Sequence, residues 1–176
     1  MNQLTPPVNK NDHIQGSSHA PLTLVEYGDY QCPHCGHAYP IIKQVQRKLG
    51  DRLRFVYRNF PLSEAHPDAF KAAVGAEAAS LQNRFWEMHD VIFENQDALS
   101  WTDLFAYAQN IGLDVQSFEE DVQRREIAEK VEADFESGIR SGVNGTPSFF
   151  INGEKYEGSW EAIDLIGYLN ASANSY

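Results

Sequence analysis

The sequence predicts an α/β fold: a four-stranded mixed sheet flanked by helices, with an α-helical insertion after the second strand. Three observations carry that prediction. Two strand-like runs, 22–27 and 52–60, bracket a stretch of helical periodicity. Residues 67–142 hold a series of amphipathic helical patterns punctuated by turn signals and no strand. Near the end, Asn152-Gly153 sits between two short strand-like runs, 148–151 and 154–157, and a last helical stretch follows. A strand, a crossover helix and a second strand make a right-handed parallel unit. Asn-Gly between strands is the strongest short-range hairpin signal.

In chain order, residues 1–18 are polar, carry prolines, glycine and serines, and read as a loose or partly extended arm leading to Ala20-Pro21. They lack the apolar stretch of a secretory signal, so the expectation is a cytoplasmic protein, or a periplasmic (extracytoplasmic) one whose signal has been removed. The strand 22–27 is rich in β-formers, which makes Glu26 conspicuous. A carboxylate in a core strand is costly without a task or a partner, unless the strand alternates and turns it to solvent. The first helix is expected over 33–49, with Ile41, Ile42, Val45 and Leu49 at helical spacing, a kink at Pro40 and a stop at Gly50. The strand 52–60 alternates and ends at Pro61.

Five more helices follow from periodicity. The first, 67–81, places Phe70, Val74, Ala78 and Leu81 on one face; the next, 84–93, turns Phe85, Met88 and Ile92 inward. Ser100, with Asp103 three residues on, caps a helix carrying Trp101, Leu104, Phe105 and Ala108, and Gly112 closes it. Asp114 caps a short helix through Val122. A long helix over 126–140 is expected to bury Ile127, Val131, Phe135 and Ile139 before Gly142. After the hairpin, Ser159 is expected to cap a terminal helix carrying Trp160, Ile163, Ile166 and Leu169. The chain therefore divides into 1–61, the first part of a sheet domain, 62–142, the helical insertion, and 143–176, the second part of the sheet domain.

Both cysteines of the chain lie in Cys32-Pro33-His34-Cys35, where the first strand gives way to the first helix. Two intervening residues are too few for a staple across the fold, so the pair points to redox chemistry. Unpaired N–H groups and aligned peptide dipoles at a helix start favour a thiolate, and Pro33 suits the first turn. Cys32 is thus expected to be an exposed, readily ionised nucleophile, His34 to add positive charge, and Cys35, one turn deeper, to be the shielded resolving thiol. Zinc is an alternative for Cys32, His34, Cys35 and His37, but a structural site gathers a second ligand pair, and the chain has no further cysteine. An inert buried pair is another alternative. His37 alone reads as a helix-surface residue.

Composition excludes other classes. The net charge of −11 argues against nucleic acid as a partner, and no apolar run approaches membrane-spanning length. The basic residues Lys43, Arg47, Lys48, Arg52, Arg54 and Arg58 read as solvated faces, some of them opposite the acids of 114–136. The aromatic and methionine positions read as ordinary core, with no cofactor box among them.

Taken together, Glu26, Cys32-Pro33-His34-Cys35 and Gly145-Thr146-Pro147 resemble the DsbA-like branch of the thioredoxin superfamily, and the similarity spans about 20–169. The resemblance implies a thioredoxin-like fold and a thiol–disulfide oxidoreductase working on protein thiols and disulfides, with a further redox partner and no cofactor. It implies a mixed disulfide at Cys32 resolved by Cys35, with Pro33-His34 the dipeptide of DsbA-type oxidants. Thr146 and a cis Pro147 are implied to bind substrate by β-addition, and Glu26 to serve Cys35 as a buried general base. Whether the dithiol oxidises, reduces or isomerises stays open. Two alternatives also remain: a metal-binding or chaperone-like module using the Cys/His cluster, and a glutathione-dependent transferase or isomerase on the same fold.

Overall fold

In a computed structural model, which describes residues 2–174, the elements are β1 (His13–Gly16), β2 (Leu22–Gly28), α1 (Pro33–Leu49), β3 (Leu53–Asn59), α2 (Ala69–Ser80) and α3 (Phe85–Phe93). They continue as α4 (Trp101–Asn110), α5 (Val115–Asp121), α6 (Arg125–Arg140), β4 (Ser148–Ile151), β5 (Glu154–Tyr156) and α7 (Ala162–Ala173). The mixed sheet has the order β1-β3-β2-β4-β5. Its centre is β2, all seven residues of which are buried, because strands flank it and both its faces are covered. The α1 crossover lays β3 beside β2, and β4 runs antiparallel to β2 on the other side, with Glu26 opposite Phe149 and Tyr27 opposite Ser148. Asn152 and Gly153, both at positive φ, make the expected hairpin between β4 and β5.

Contacts group the chain into two compact units. The first takes the chain up to Gly28, His37–Arg58 and the chain from Ser137 onward; the second takes Asp29–Gly36 and Asn59–Glu136. In the first unit the sheet is built on Leu22, Leu24, Phe55, Val56, Phe149 and Phe150, all buried, each such side chain contributing roughly 1.5–3 kcal/mol. The helix α1 runs through Pro40 without interruption.

The amino-terminal arm, expected to be loose or partly extended, is extended in part and more firmly tied down than a loose segment. Residues 13–16 form β1, a fifth strand antiparallel to β3, and Leu4 is buried. Backbone bonds from Leu4 N–H to the Gly153 carbonyl (2.8 Å) and from Lys155 N–H to the Asn2 carbonyl (3.0 Å) tie the start of the chain to the β5 edge. Edge pairing of this kind uses main-chain groups, which leave no hydrophobic period to read. Arg58 also departs from the solvated role expected of the basic run. It is buried, with Nε and Nη2 bound to the two oxygens of Asp12 (2.8 and 2.9 Å) and Nη1 bound to the Pro6 carbonyl and the Tyr27 hydroxyl. With a further bond from Nη2 to the Pro7 carbonyl (3.3 Å), five hydrogen bonds replace the water that burial removes.

Within the first unit, the cap expected at Ser159 and the inward positions expected for Ile163 and Ile139 are corrected. Ser159 does not cap α7: the helix begins two residues later than that cap implies, and the Ser159 hydroxyl accepts from Glu161 N–H at 3.3 Å. Leu165 and Leu169 are the buried pair, whereas Ile163 is 82% exposed, since it lies about 200° around the helix from Leu165. Ile139, expected in the core, is exposed as well. A strict four-residue step overshoots the helical turn by about 40° each time, so Ile139 lies about 120° around the helix from Ile127.

In the second unit the same drift leaves Phe135 half-buried, and Asp134 takes the buried position instead. The alanine-rich α2 packs on α3, α4 and α5 and buries Ala72, Ala73, Val74, Ala76, Ala78 and Ala79. Phe70 is only half-buried, and Leu81, just past the helix end, is exposed. A helix whose small side chains are buried on nearly every side marks no single stripe. The expected inward residues of α3, Phe85, Met88 and Ile92, are buried. So are Leu104 and Ala108 of α4, where Ser100 and Asp103 form the expected capping box. Asp114 caps α5 by accepting from Ser117 N–H at 2.7 Å.

Candidate active site

The site begins where β2 ends. Gly28 has no room for a side chain, since a Cβ there would lie 2.5 Å from the buried Tyr57 ring. The next residue, Asp29, turns the chain: its Oδ1 accepts from Gln31 N–H (2.8 Å) and Cys32 N–H (3.1 Å), an Asx-type turn leading into α1. The Asp29 amide donates to Cys35 Sγ at 3.4 Å. Gly36 N–H then closes the first helical bond on the Cys32 carbonyl. The side-chain amide of Gln96 donates to both the Tyr30 and Cys32 carbonyls, each at 2.9 Å. Gly36 makes that reach feasible, because any Cβ there would collide with Gln96.

Cys32 and Cys35 are both buried, Cys32 at 3% exposure, so Cys32 is far less open than the exposed position expected at a bare helix start. Pro33 and His34, between them, are exposed. Tyr30, also buried, bonds through its hydroxyl to His89 Nδ1 (3.0 Å) and packs on Phe93. These contacts all lie within the second unit and join the dithiol segment to the helices.

The remaining sequence-predicted residues lie in the first unit. Glu26 is 3% exposed, which rules out the solvent-facing alternative. It stands opposite Phe149 on the face of the sheet shared with Tyr57. The Thr146–Pro147 peptide bond is cis and immediately precedes β4, and Ser148 Oγ donates back to the Gly145 carbonyl at 2.7 Å. Since Ser148 pairs with Tyr27, Pro147 follows at the Gly28 end of β2. His37 turns to Trp160 and Glu161 rather than joining a ligand set, and among the described residues no group of three or more His, Cys, Asp or Glu is placed to hold a metal.

Sequence reasoning missed Asp29, Gln96 and His66, whose Nδ1 lies 2.8 Å from Asp29 Oδ2. Asp29 carried a usable signal, an Asp three residues before a helix-starting cysteine, the spacing of a side-chain cap. Gln96 is 64 positions from Cys32 and carried none.

The thioredoxin family model matches residues 8–171. The chain belongs to the thioredoxin family. Its fold is the DsbA-like form. It superposes on a thioredoxin-like oxidoreductase from Silicibacter pomeroyi with a TM-score of 0.84 at 24% identity, covering 96% of this chain and 95% of that one. Against alpha-DsbA1 of Wolbachia pipientis the TM-score is 0.79 at 22% identity, covering 95% and 94%. At such identities the likeness is one of fold. A curated relative, the Na(+)/H(+) antiporter NhaA 1 of Mycolicibacterium gilvum, is 44% identical over 170 residues, which is 96% of this chain and 28% of the antiporter. This thioredoxin-family chain thus spans about a quarter of the length of the curated relatives it matches. Among the described residues no helix is long and apolar enough to cross a membrane.

Proposed function

We propose that the chain is a thiol–disulfide oxidoreductase that exchanges disulfides with protein substrates through a mixed disulfide at Cys32, resolved by Cys35. The observation that carries this reading is the placement of the two sulfurs one turn apart at the start of α1, the second already accepting the Asp29 amide. In the reducing direction the Cys32 thiolate attacks one sulfur of a substrate disulfide. The substrate S–S bond breaks, one substrate sulfur leaves as thiolate, and the other stays bonded to Cys32. The Cys35 thiolate then attacks Cys32 Sγ, closing the Cys32–Cys35 disulfide and releasing the second substrate thiol. Two electrons pass to the substrate, and the reverse sequence oxidises it.

Supporting residues follow from the family resemblance and the local geometry. Glu26, a buried carboxylate, takes the role of accepting the Cys35 proton. Thr146 and Pro147 take the substrate backbone as an added strand, which makes sequence preference weak. His34, exposed beside Cys32 in sequence, contributes positive charge when protonated.

The test uses purified protein and a denatured, disulfide-containing substrate protein. Cys32→Ser is expected to abolish exchange, and Cys35→Ser to accumulate a mixed disulfide seen on non-reducing gels. Full exchange by Cys32→Ser refutes the reading.

A further inference from the structure

Asp29 is a fully buried carboxylate, 0% of its side chain exposed, beside a dithiol that must ionise to react. A buried carboxylate is tolerated only when its oxygens are satisfied, and here donors surround it. Oδ1 takes Gln31 N–H and Cys32 N–H, and Oδ2 takes Leu62 N–H (2.9 Å) and His66 Nδ1 (2.8 Å). Facing a carboxylate, that ring nitrogen is the donor. His66 is itself 21% exposed, at the edge of a surface depression of about 470 Å3 that also borders Gln31 and Pro33. Asp29 therefore meets both cysteines, through its carboxylate at the Cys32 amide and through its own amide at the Cys35 sulfur.

Two electrostatic effects follow. The Cys32 N–H, at the start of α1, is shared between the Asp29 carboxylate and the Asp29 main-chain carbonyl (3.1 Å each), and the share the carboxylate takes withdraws part of the positive helix end from a Cys32 thiolate. The carboxylate also places a second negative charge close to the first, and like charges disfavour each other's ionised form. His66 is the neighbouring group able to offset that charge. The other ionisable groups bordering the depression, Asp68 and Asp97, are acids, and Asp68 is paired with Lys71.

We propose that Asp29 is a positioning residue of the dithiol, that its charge holds back the Cys32 thiolate, and that His66 sets how strongly it does so. This rests on the oxidoreductase reading above and deepens it. Asp29 makes Cys32 a milder oxidant than a helix start with CPHC would be alone, because a destabilised thiolate stabilises the disulfide form.

The test measures the equilibrium of the Cys32–Cys35 pair with glutathione and the pH profile of Cys32 alkylation in intact protein. Asp29→Asn keeps the size and removes the charge. It is expected to shift the equilibrium at least about tenfold toward the dithiol and to move the alkylation profile to lower pH, the size of one pKa unit. His66→Ala leaves Asp29 less compensated and is expected to shift both readouts the opposite way. Shifts of opposite sign from the two halves of one pair are not what loosened packing produces. Shifts of the same sign, or none in either variant, overturn the proposal. Should Asp29→Asn fail to fold, the part-exposed His66 decides alone: a shift toward the disulfide supports the proposal, and any other result overturns it. Failure of the unaltered protein to exchange with glutathione refutes the oxidoreductase reading itself.

Discussion

Replacing Arg58 with methionine tests what anchors the amino-terminal arm. The guanidinium is 2% exposed and the Asp12 carboxylate 4%, and the two share a bidentate contact. Burial acts to lower the arginine pKa, yet the Asp12 bond, the charge and bond of Tyr27 and the Asp12 charge together hold it above its usual value. Methionine fills a similar volume but takes the cation from the buried Asp12 carboxylate, whose Oδ2 keeps the Asn9 N–H (2.9 Å), and takes the Arg58 donors from the Pro6 and Pro7 carbonyls. Breaking a buried pair from one side costs about 3–5 kcal/mol. For a chain of this size that lowers Tm by roughly 6–20 °C, at about 2–4 °C per kcal/mol. Urea unfolding should show a lower midpoint with an unchanged slope. The double variant Arg58→Met, Asp12→Leu removes both charges and should recover most of the loss. A single-variant loss below about 1 kcal/mol, on the scale of an exposed pair, refutes the argument. So does a double variant no more stable than the single one.

Further outcomes follow from other contacts. Ser100→Ala deletes the α4 capping box and should cost about 1 kcal/mol in chemical unfolding. Gly28→Ala drives a methyl into the buried Tyr57 ring and should destabilise by about 1–3 kcal/mol, read as a lower urea midpoint. Burial raises the Asp134 pKa above 3.8, with the Glu77 charge adding to it and Lys130 and Asn59 opposing. Folding therefore takes up a proton there: the stability is fully present below the unfolded value and is lost as pH rises through the folded one. Asp134→Asn should flatten that falling slope in unfolding measured across the acidic range, and an unchanged slope would assign it to another group.

The sequence made the architecture legible where period and punctuation agreed. Strand–helix–strand, the Asn152-Gly153 hairpin and the caps at Ser100 and Asp114 all stand where spacing placed them. The dithiol was legible for the same reason, two cysteines at a helix start. What the sequence hid depends on distant or main-chain partners. Residues 13–16 pair through backbone groups, Arg58 is buried by Asp12 from 46 residues away, and Gln96 reaches Cys32 across 64. Ile139 and Ile163 show the limit of a stripe read as strict steps, since a small angular error accumulates along a helix.

The alanine face of α2 has a consequence for how substitutions would be tolerated. Ala72, Ala73, Ala76, Ala78 and Ala79 are buried against neighbouring helices, and their methyls leave little space for anything larger. Each added branch there forces side chains or backbone aside, at about 1–3 kcal/mol. In a saturation survey of viable variants this helix would therefore tolerate change as poorly as the cysteines do. A map of intolerance alone would rank it beside the proposed dithiol site, although its alanine methyls offer no reactive group. Sorting the positions by what they reject separates the two: the α2 alanines should refuse added volume most, whereas Cys32, as the proposed nucleophile, should refuse even the near-isosteric serine.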